Sequence, residues 1–356
     1  MRIDKFRNVI LVAGLFFFIT MLFIYARRPV RAVTLSPPVM EIEADVGETI
    51  RARINLVNDE QDLCLYYLST ADFEPEGEYG QASFLFPGQS SRSLSSWIEL
   101  PSAQVILGSG ERAEVNFDIK IPDRAEPGGY YGAVFFSDIP PDYGVSESSI
   151  VSASSRLASL ILLRVDGEVI EQGEIDYFST REERLLFSSL PVDFVVKFEN
   201  KGNVHLKPEG RINIINFLGR QVEQVAQVGI YDPSGNLVSE KSLDYLPVNY
   251  SRVNVLPNSS RQFKVGWFKN LDKIDSNGFW ANLGKEFKNF KFGVFKTELE
   301  MKFGQDEQVL VEKGPTVAVL PWRIIVVVLT GMIFLGLMFL WLTRRFKSKD
   351  GDLGVG

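Results

Sequence analysis

Residues 49–57 read Thr-Ile-Arg-Ala-Arg-Ile-Asn-Leu-Val, and their alternation sets the fold class. Ile50, Ala52, Ile54 and Leu56 fall on one side of an extended chain, with Arg51, Arg53 and Asn55 on the other. A period of two marks a strand with one face in a core and one in water. Asn58-Asp59 then turns the chain, and Leu63 to Leu68 reads as the return strand. Val115, Phe117, Ile119 and Ile121 alternate with Glu114, Asn116, Asp118 and Lys120, after the turn Leu107-Gly-Ser-Gly-Glu111. Pro127-Gly128-Gly129 leads into an aromatic and β-branched run, Tyr130 to Phe136, and Arg156 to Val165 is a last strand or a short helix, its place before Asp166-Gly167 favouring a strand. Turn signals about every 8–12 residues between short strands predict a β-sandwich over 33–166. A segment rich in Gly, Ser and Pro, 73–96, is expected to be a long surface loop, as is 139–149.

Residues 167–316 replay this order. Val192 to Phe198 is a strand, Glu199-Asn-Lys-Gly-Asn203 is a turn in which Gly202 offers a positive φ, and Arg211 to Phe217 is the next strand. Tyr231-Asp-Pro-Ser-Gly-Asn236 turns between two more. Val253 to Trp267 matches Gln104 to Phe117 in form: an apolar strand, a turn, an alternating strand. A short helix is expected near Leu283–Phe287, and 304–315 reads as a stalk. The fold class is therefore all-β, two immunoglobulin-like sandwiches in tandem.

Each end carries an apolar segment. Val9 to Ala26 is uncharged, preceded by Arg2, Lys5 and Arg7 and followed by Arg27, Arg28 and Arg31, with Val30-Arg31-Ala32 as a small-residue cleavage site. Residues 1–32 are a signal peptide or an uncleaved N-terminal anchor. Ile324 to Thr343 has no charge over 20 residues, and at ~1.5 Å per residue it spans ~30 Å, a bilayer core. Trp322 and Trp341 stand at its ends, and Arg344, Arg345, Lys347 and Lys349 follow. That pattern predicts a transmembrane helix within 317–343, a basic cytoplasmic tail over 344–356, and a translocated ectodomain between the two ends.

Composition narrows the chemistry. The 356 residues hold one cysteine, Cys64, and one histidine, His205. This excludes an intrachain disulfide framework, a CxxC redox site and Cys- or His-rich metal sites. No cofactor is implied. Residues 33–166 carry 8 basic and 21 acidic side chains, and 167–316 carry 19 and 21. A surface that acidic repels phosphate backbones, so no nucleic acid is expected. A carboxylate pair of the glycosidase kind survives this arithmetic without specific support. Glu74, Glu76 and Glu78 alternate and could hold Ca²⁺ weakly, although no EF-hand spacing supports them. Trp97, Tyr130 and Tyr131 are the candidates for ligand stacking, although alternation puts Tyr130 and Tyr131 on opposite faces. His205 reads as a backbone-bonded turn neighbour, Cys64 as a buried inert thiol, and Asp232 as a turn residue.

Val33-Thr-Leu-Ser-Pro-Pro-Val-Met-Glu-Ile-Glu43, Leu107-Gly-Ser-Gly-Glu111, and Ile121-Pro-Asp-Arg-Ala-Glu-Pro-Gly-Gly-Tyr-Tyr-Gly-Ala-Val-Phe-Phe136 carry a resemblance. With this layout of segments, the chain resembles bacterial cell-surface proteins related to the WxL-interacting protein family. The resemblance implies a peptidoglycan-contacting first domain and a protein-binding second domain. Two functions are expected from these readings. One is a non-enzymatic, membrane-anchored adhesion or scaffold protein that binds cell-wall polymer or another surface protein. The other is a tethered chaperone-like assembly factor that holds secreted or surface subunits by β-strand addition.

Overall fold

The structure, a computed structural model, describes residues 33–140, 156–222, 226–231, 237–243, 245–268 and 278–350. The readings of 1–32, of 141–149 and of Asp232 lie outside them. The chain forms two compact units. Described residues 33–72, Phe86–Ala125 and Tyr131–Leu163 make unit 1; Phe73–Leu85, Glu126–Tyr130 and the chain from Arg164 onward make unit 2.

One sheet of unit 1 has the order β1 (Val33–Ser36), β3 (Thr49–Asn58), β8 (Arg112–Lys120), β6 (Ile98–Glu99). The antiparallel register sets Ile54 opposite Val115 and Ala52 opposite Phe117. Ile54, Leu56, Val115, Phe117 and Ile119 are buried, while Arg51 reaches Asp118 at 3.1 Å and Arg53 reaches Glu114 at 3.6 Å on the wet face. The second sheet runs β2 (Val39–Ala44), β10 (Arg156–Val165), β9 (Gly128–Ser137), β4 (Cys64–Glu76), β5 (Gln81–Leu85), with β7 (Gln104–Leu107) also on β4. The expected loop over 73–96 is thus corrected: β4 extends to Glu76 and returns as β5. What remains, 86–97, is pinned by buried Asp72, which accepts the Ser95 N–H at 2.8 Å and the Gly88 N–H at 3.3 Å. On β9, Val134 and Phe136 are buried on one face and Ala133 and Phe135 on the other. The latter pack with Ala71, Ala158 and Leu160.

Unit 2 sets the sheet β11 (Gly173–Thr180), β13 (Val192–Asn200), β18 (Ser259–Trp267) against a second. The second has the order β12 (Leu186–Phe187), β21 (Val317–Val319), β19 (Gly293–Phe303), β14 (Glu209–Asn216), β17 (Leu246–Val248). β20 (Gln308–Lys313) joins β19 on the side of β21, and β15 (Ala226–Tyr231) pairs with β16 (Leu237–Leu243). One core cluster draws Phe194, Phe198 and Trp267 from the first sheet and Phe295, Leu299 and Met301 from the second. Trp267 meets Phe295 edge-on at 5.1 Å between ring centroids, and Phe198 meets Phe303 at 5.4 Å. Two helices complete the unit, α1 (Phe279–Lys288) and α2 (Trp322–Asp350).

The expected repetition appears as topology. The order β1-β3-β8 recurs as β11-β13-β18, and β2-β10-β9-β4-β7 recurs as β12-β21-β19-β14-β17. One residue marks the equivalence. Asn58, last in β3, and Asn200, last in β13, are both fully buried. Asn58 Nδ2 donates to the carbonyls of Asp62 at 2.9 Å and Leu107 at 3.2 Å, and its Oδ1 accepts the Glu60 N–H at 2.9 Å. Asn200 Nδ2 donates to Val204 and Val255, both at 2.8 Å, and its Oδ1 accepts the Gly202 N–H at 2.9 Å. Leu107 and Val255 lie in the two segments whose sequences match in form. Gly202 is needed for a different reason than its turn suggests. Its φ is not positive; a Cβ there collides with the Ile170 carbonyl.

Two stability predictions follow from burial and hydrogen bonding. Asn200→Ala strands buried backbone groups and is expected to cost about 2–4 kcal/mol, at 1–3 kcal/mol per unsatisfied group. Denaturant midpoints of the full chain measure it, and a loss below about 1 kcal/mol contradicts this role. The second concerns the boundary at 316, which severs β21. Val317 and Val319 are 0% and 1% exposed. A fragment ending at 316 is expected to be less stable than one ending at 320 by about 3 kcal/mol or more, at ~1.5–3 kcal/mol per buried valine.

Candidate interaction surfaces

A cleft of about 600 Å³ opens in unit 2, lined by Tyr79, Asp176, Tyr177, Arg181, Val195, Lys197, Gln262 and Lys264. Two of its three cations, Lys197 and Arg181, face carboxylates. Lys197 Nζ stands 2.8 Å from Asp176 and 2.7 Å from Glu78. Hydrogen bonds to these two carboxylates, Asp176 foremost, hold the ammonium above its ordinary pKa. Arg181 faces Asp193 at 3.9 Å, and the Tyr177 hydroxyl donates to Glu183 at 3.1 Å. Lys264 lies over the Tyr79 ring at 5.3 Å, and the Gln262 N–H donates to the Glu78 carbonyl at 2.7 Å. The groups fasten the tip of the β4–β5 hairpin to β13 and β18.

The aromatic candidates differ in burial. Trp97 is half-buried at the end of a 3-10 turn, Ser95–Trp97. Tyr131 is half-buried, with its backbone bridged to Ser93. Tyr130 is 5% exposed and its hydroxyl donates to the Glu126 carbonyl at 3.0 Å. Burial removes the Tyr130 ring from any stacking surface. Cys64 is half-buried; burial first, then the Glu60 carboxylate, pushes its thiol up. His205 is half-buried between buried Val204 and Leu206. Glu74 and Glu76 are exposed while Glu78 turns to Lys197, and among the described residues no three metal-type side chains gather.

Sequence reasoning missed two features. The first is β20, read as part of a stalk. Gly304, at φ +77°, opens a turn, and residues 308–313 then return along β19, with Val311 opposite Glu300 and Val309 opposite Lys302. Leu310 packs on the core, whereas Val309 and Val311 are 52% and 60% exposed. Beyond β20 no further strand pairs with it among the described residues. An edge strand presents alternate unpaired N–H and C=O groups, a template for another chain. Consecutive Val-Leu-Val hid it, because apolar residues lie on both faces.

The second is Glu286 of α1, completely buried. Its Oε1 accepts Arg323 Nη1 at 2.8 Å, and its Oε2 accepts the N–H groups of Arg323 at 3.0 Å and Ile324 at 3.1 Å. A carboxylate on the first N–H groups of a helix satisfies orphan donors and complements the dipole. The helix it caps is long and apolar enough to cross a membrane: Trp322–Arg344 contains an 18-residue window of mean hydropathy 2.7 in which no residue is buried. Glu286→Ala is expected to cost about 3–5 kcal/mol by leaving Arg323 without its buried partner. Faster amide hydrogen exchange at residues 323–325 with an unchanged rate in β13 is the expected readout; unchanged exchange at 323–325 contradicts it.

No family model and no curated protein matches this chain. Solved structures similar to it include a chain from a chaperone–tip adhesin complex of CFA/I fimbriae, 11% identical over 80% of this chain and 98% of that one, with a TM-score of 0.36. The class 5 fimbriae chaperone CfaA is 12% identical over 80% of this chain and 99% of its own, TM-score 0.36. A chain of the CsuC–CsuE pre-assembly complex of Acinetobacter baumannii is 10% identical over 80% and 98%, TM-score 0.33. Similarity at this level says nothing about what this chain binds.

Proposed function

We propose that the protein is a membrane-anchored, non-catalytic module of the cell envelope that holds a secreted or surface protein by strand addition. α2 serves as its anchor and the two β units stand on the translocated side. The observation that carries the reading is β20, an edge strand with Val309 and Val311 exposed. A partner's extended segment adds its backbone hydrogen bonds to that edge, and the exposed valines meet its alternate side chains. The protein-binding arm of the family resemblance agrees with this. Its peptidoglycan arm loses one of its stacking candidates, since Tyr130 is buried.

Proline distinguishes the two sides of the strand. It removes one N–H, which breaks the ladder to β19 at inward positions and touches only the open edge at outward ones. Proline substitutions at 309 to 312 are therefore expected to alternate between loss of stability and loss of partner. Photo-cross-linking from Val309 and Val311 in intact cells, alongside thermal unfolding of the purified chain, checks this. Fold-preserving prolines that keep the wild-type cross-linked partner at undiminished yield refute the reading.

A further inference from the structure

α1 turns its aromatic side chains outward. Trp280 and Phe287 are each 76% exposed, and a spacing of seven residues puts them on one side of the helix. Gly284 lies between them, with open space where a Cβ would stand. Phe290 and Phe292 follow at 46% and 62% exposure. An apolar patch of this kind marks an interaction surface rather than a water-facing one. The same stretch carries three lysines, Lys285, Lys288 and Lys291, and one acid, Glu286.

The position of the patch identifies what covers it. Glu286 clamps α1 to the first residues of α2, and the Phe279 ring meets the Trp322 ring edge-on at 6.3 Å. The exposed face of α1 therefore stands at the level where the apolar helix begins. Resting on the reading of α2 as a bilayer span, we infer that α1, with Phe290 and Phe292, is a foot that lies on the membrane surface. Trp280 and Phe287 sink into the headgroup–acyl boundary, about 5–10 Å deep for such helices, where tryptophan is favoured. The lysines meet the phosphates of anionic lipid. A lone span leaves the ectodomain free to lean and rotate; a second contact fixes its tilt.

Depth-dependent fluorescence quenching tests this on the full chain in nanodiscs. Cys64→Ser removes the native thiol, so a single dye can be placed through Gly284→Cys in α1 or Gly336→Cys in α2; a Cβ meets nothing at either glycine. The dye at 284 is expected to be quenched by lipids carrying a nitroxide near the headgroup and protected from a water-soluble quencher. Trp280→Ser with Phe287→Ser should weaken that lipid quenching several-fold, as should replacing phosphatidylglycerol with phosphatidylcholine. The dye at 336 should respond to a deep nitroxide. Deep quenching at 336 with a water-accessible dye at 284 overturns the foot and leaves the span intact. No quenching at 336 overturns the span, and the foot with it. A dye at 284 shielded from both water and lipid means that protein, a second copy or a partner, covers α1, which also overturns the inference.

Discussion

The carboxamides of Asn58 and Asn200 each tie three stretches of backbone together at the end of a central strand. An amide suits the place because it is neutral and offers both donors and an acceptor. An aspartate would bury a charge and supply no donor to the carbonyls that Asn200 satisfies at Val204 and Val255. In unit 2 the fixed turn then receives a further segment. The Lys201 N–H donates to Gln172 at 2.8 Å, the Asn203 N–H donates to Ile170 at 3.0 Å, and Asn203 Oδ1 accepts the Ile170 N–H at 2.8 Å. Gly202 lets the Ile170 carbonyl come that close. The approach to β11, the exit from β13 and the segment before β18 are thus set by one hydrogen-bonded knot, and the register of that sheet follows from it.

How much of this the sequence revealed depends on whether a strand has one covered face or two. β3 and β8 alternate because Arg51 and Arg53 face water across from Asp118 and Glu114, and they were legible. β9 is covered on both sides, so nothing in Tyr130-Tyr131 told which ring was outward, and it is Tyr130 that is buried. β20 failed for the opposite reason: its outer valines are exposed where alternation expects polar residues. The helix near Leu283–Phe287 was legible from its local pattern, but the role of Glu286 was not. Its partner Arg323 lies 37 residues away, and Lys197 meets Glu78 on a different hairpin. Composition names candidate types; only long-range packing decides which of them are paired.

The ion pairs divide in the same way. Those on the open faces, such as Arg51–Asp118 with the arginine 79% exposed, contribute little beyond solubility. Two are buried. Arg164 and Glu171 are each 11% exposed and 2.5 Å apart, and Glu171 also accepts the Gln305 N–H at 2.7 Å. That pair joins the end of β10 to the turn that launches β20. Glu286–Arg323 joins α1 to α2. Desolvation offsets much of what such pairs gain in energy, so their contribution is geometric.

These two locks bracket one continuous path. β20 runs beside residues 303 to 298 of β19, and β21 continues beside residues 295 to 293. Val319 ends β21 and Trp322 starts α2, with the Leu320 N–H held by the Phe187 carbonyl at 2.7 Å. No slack stalk separates the open edge from the apolar helix. From Val311 to Trp322 the chain spans at most about 35 Å at ~3.3 Å per residue. On the proposed reading, a strand added to β20 would sit within a short chain distance of the start of α2. Load applied to it would pass in shear through the β19 ladder into a helix end that Glu286 has already capped. If the proposed reading holds, an edge built into the sheet that leads into α2, rather than displayed on a flexible linker, would hold an added strand in one orientation.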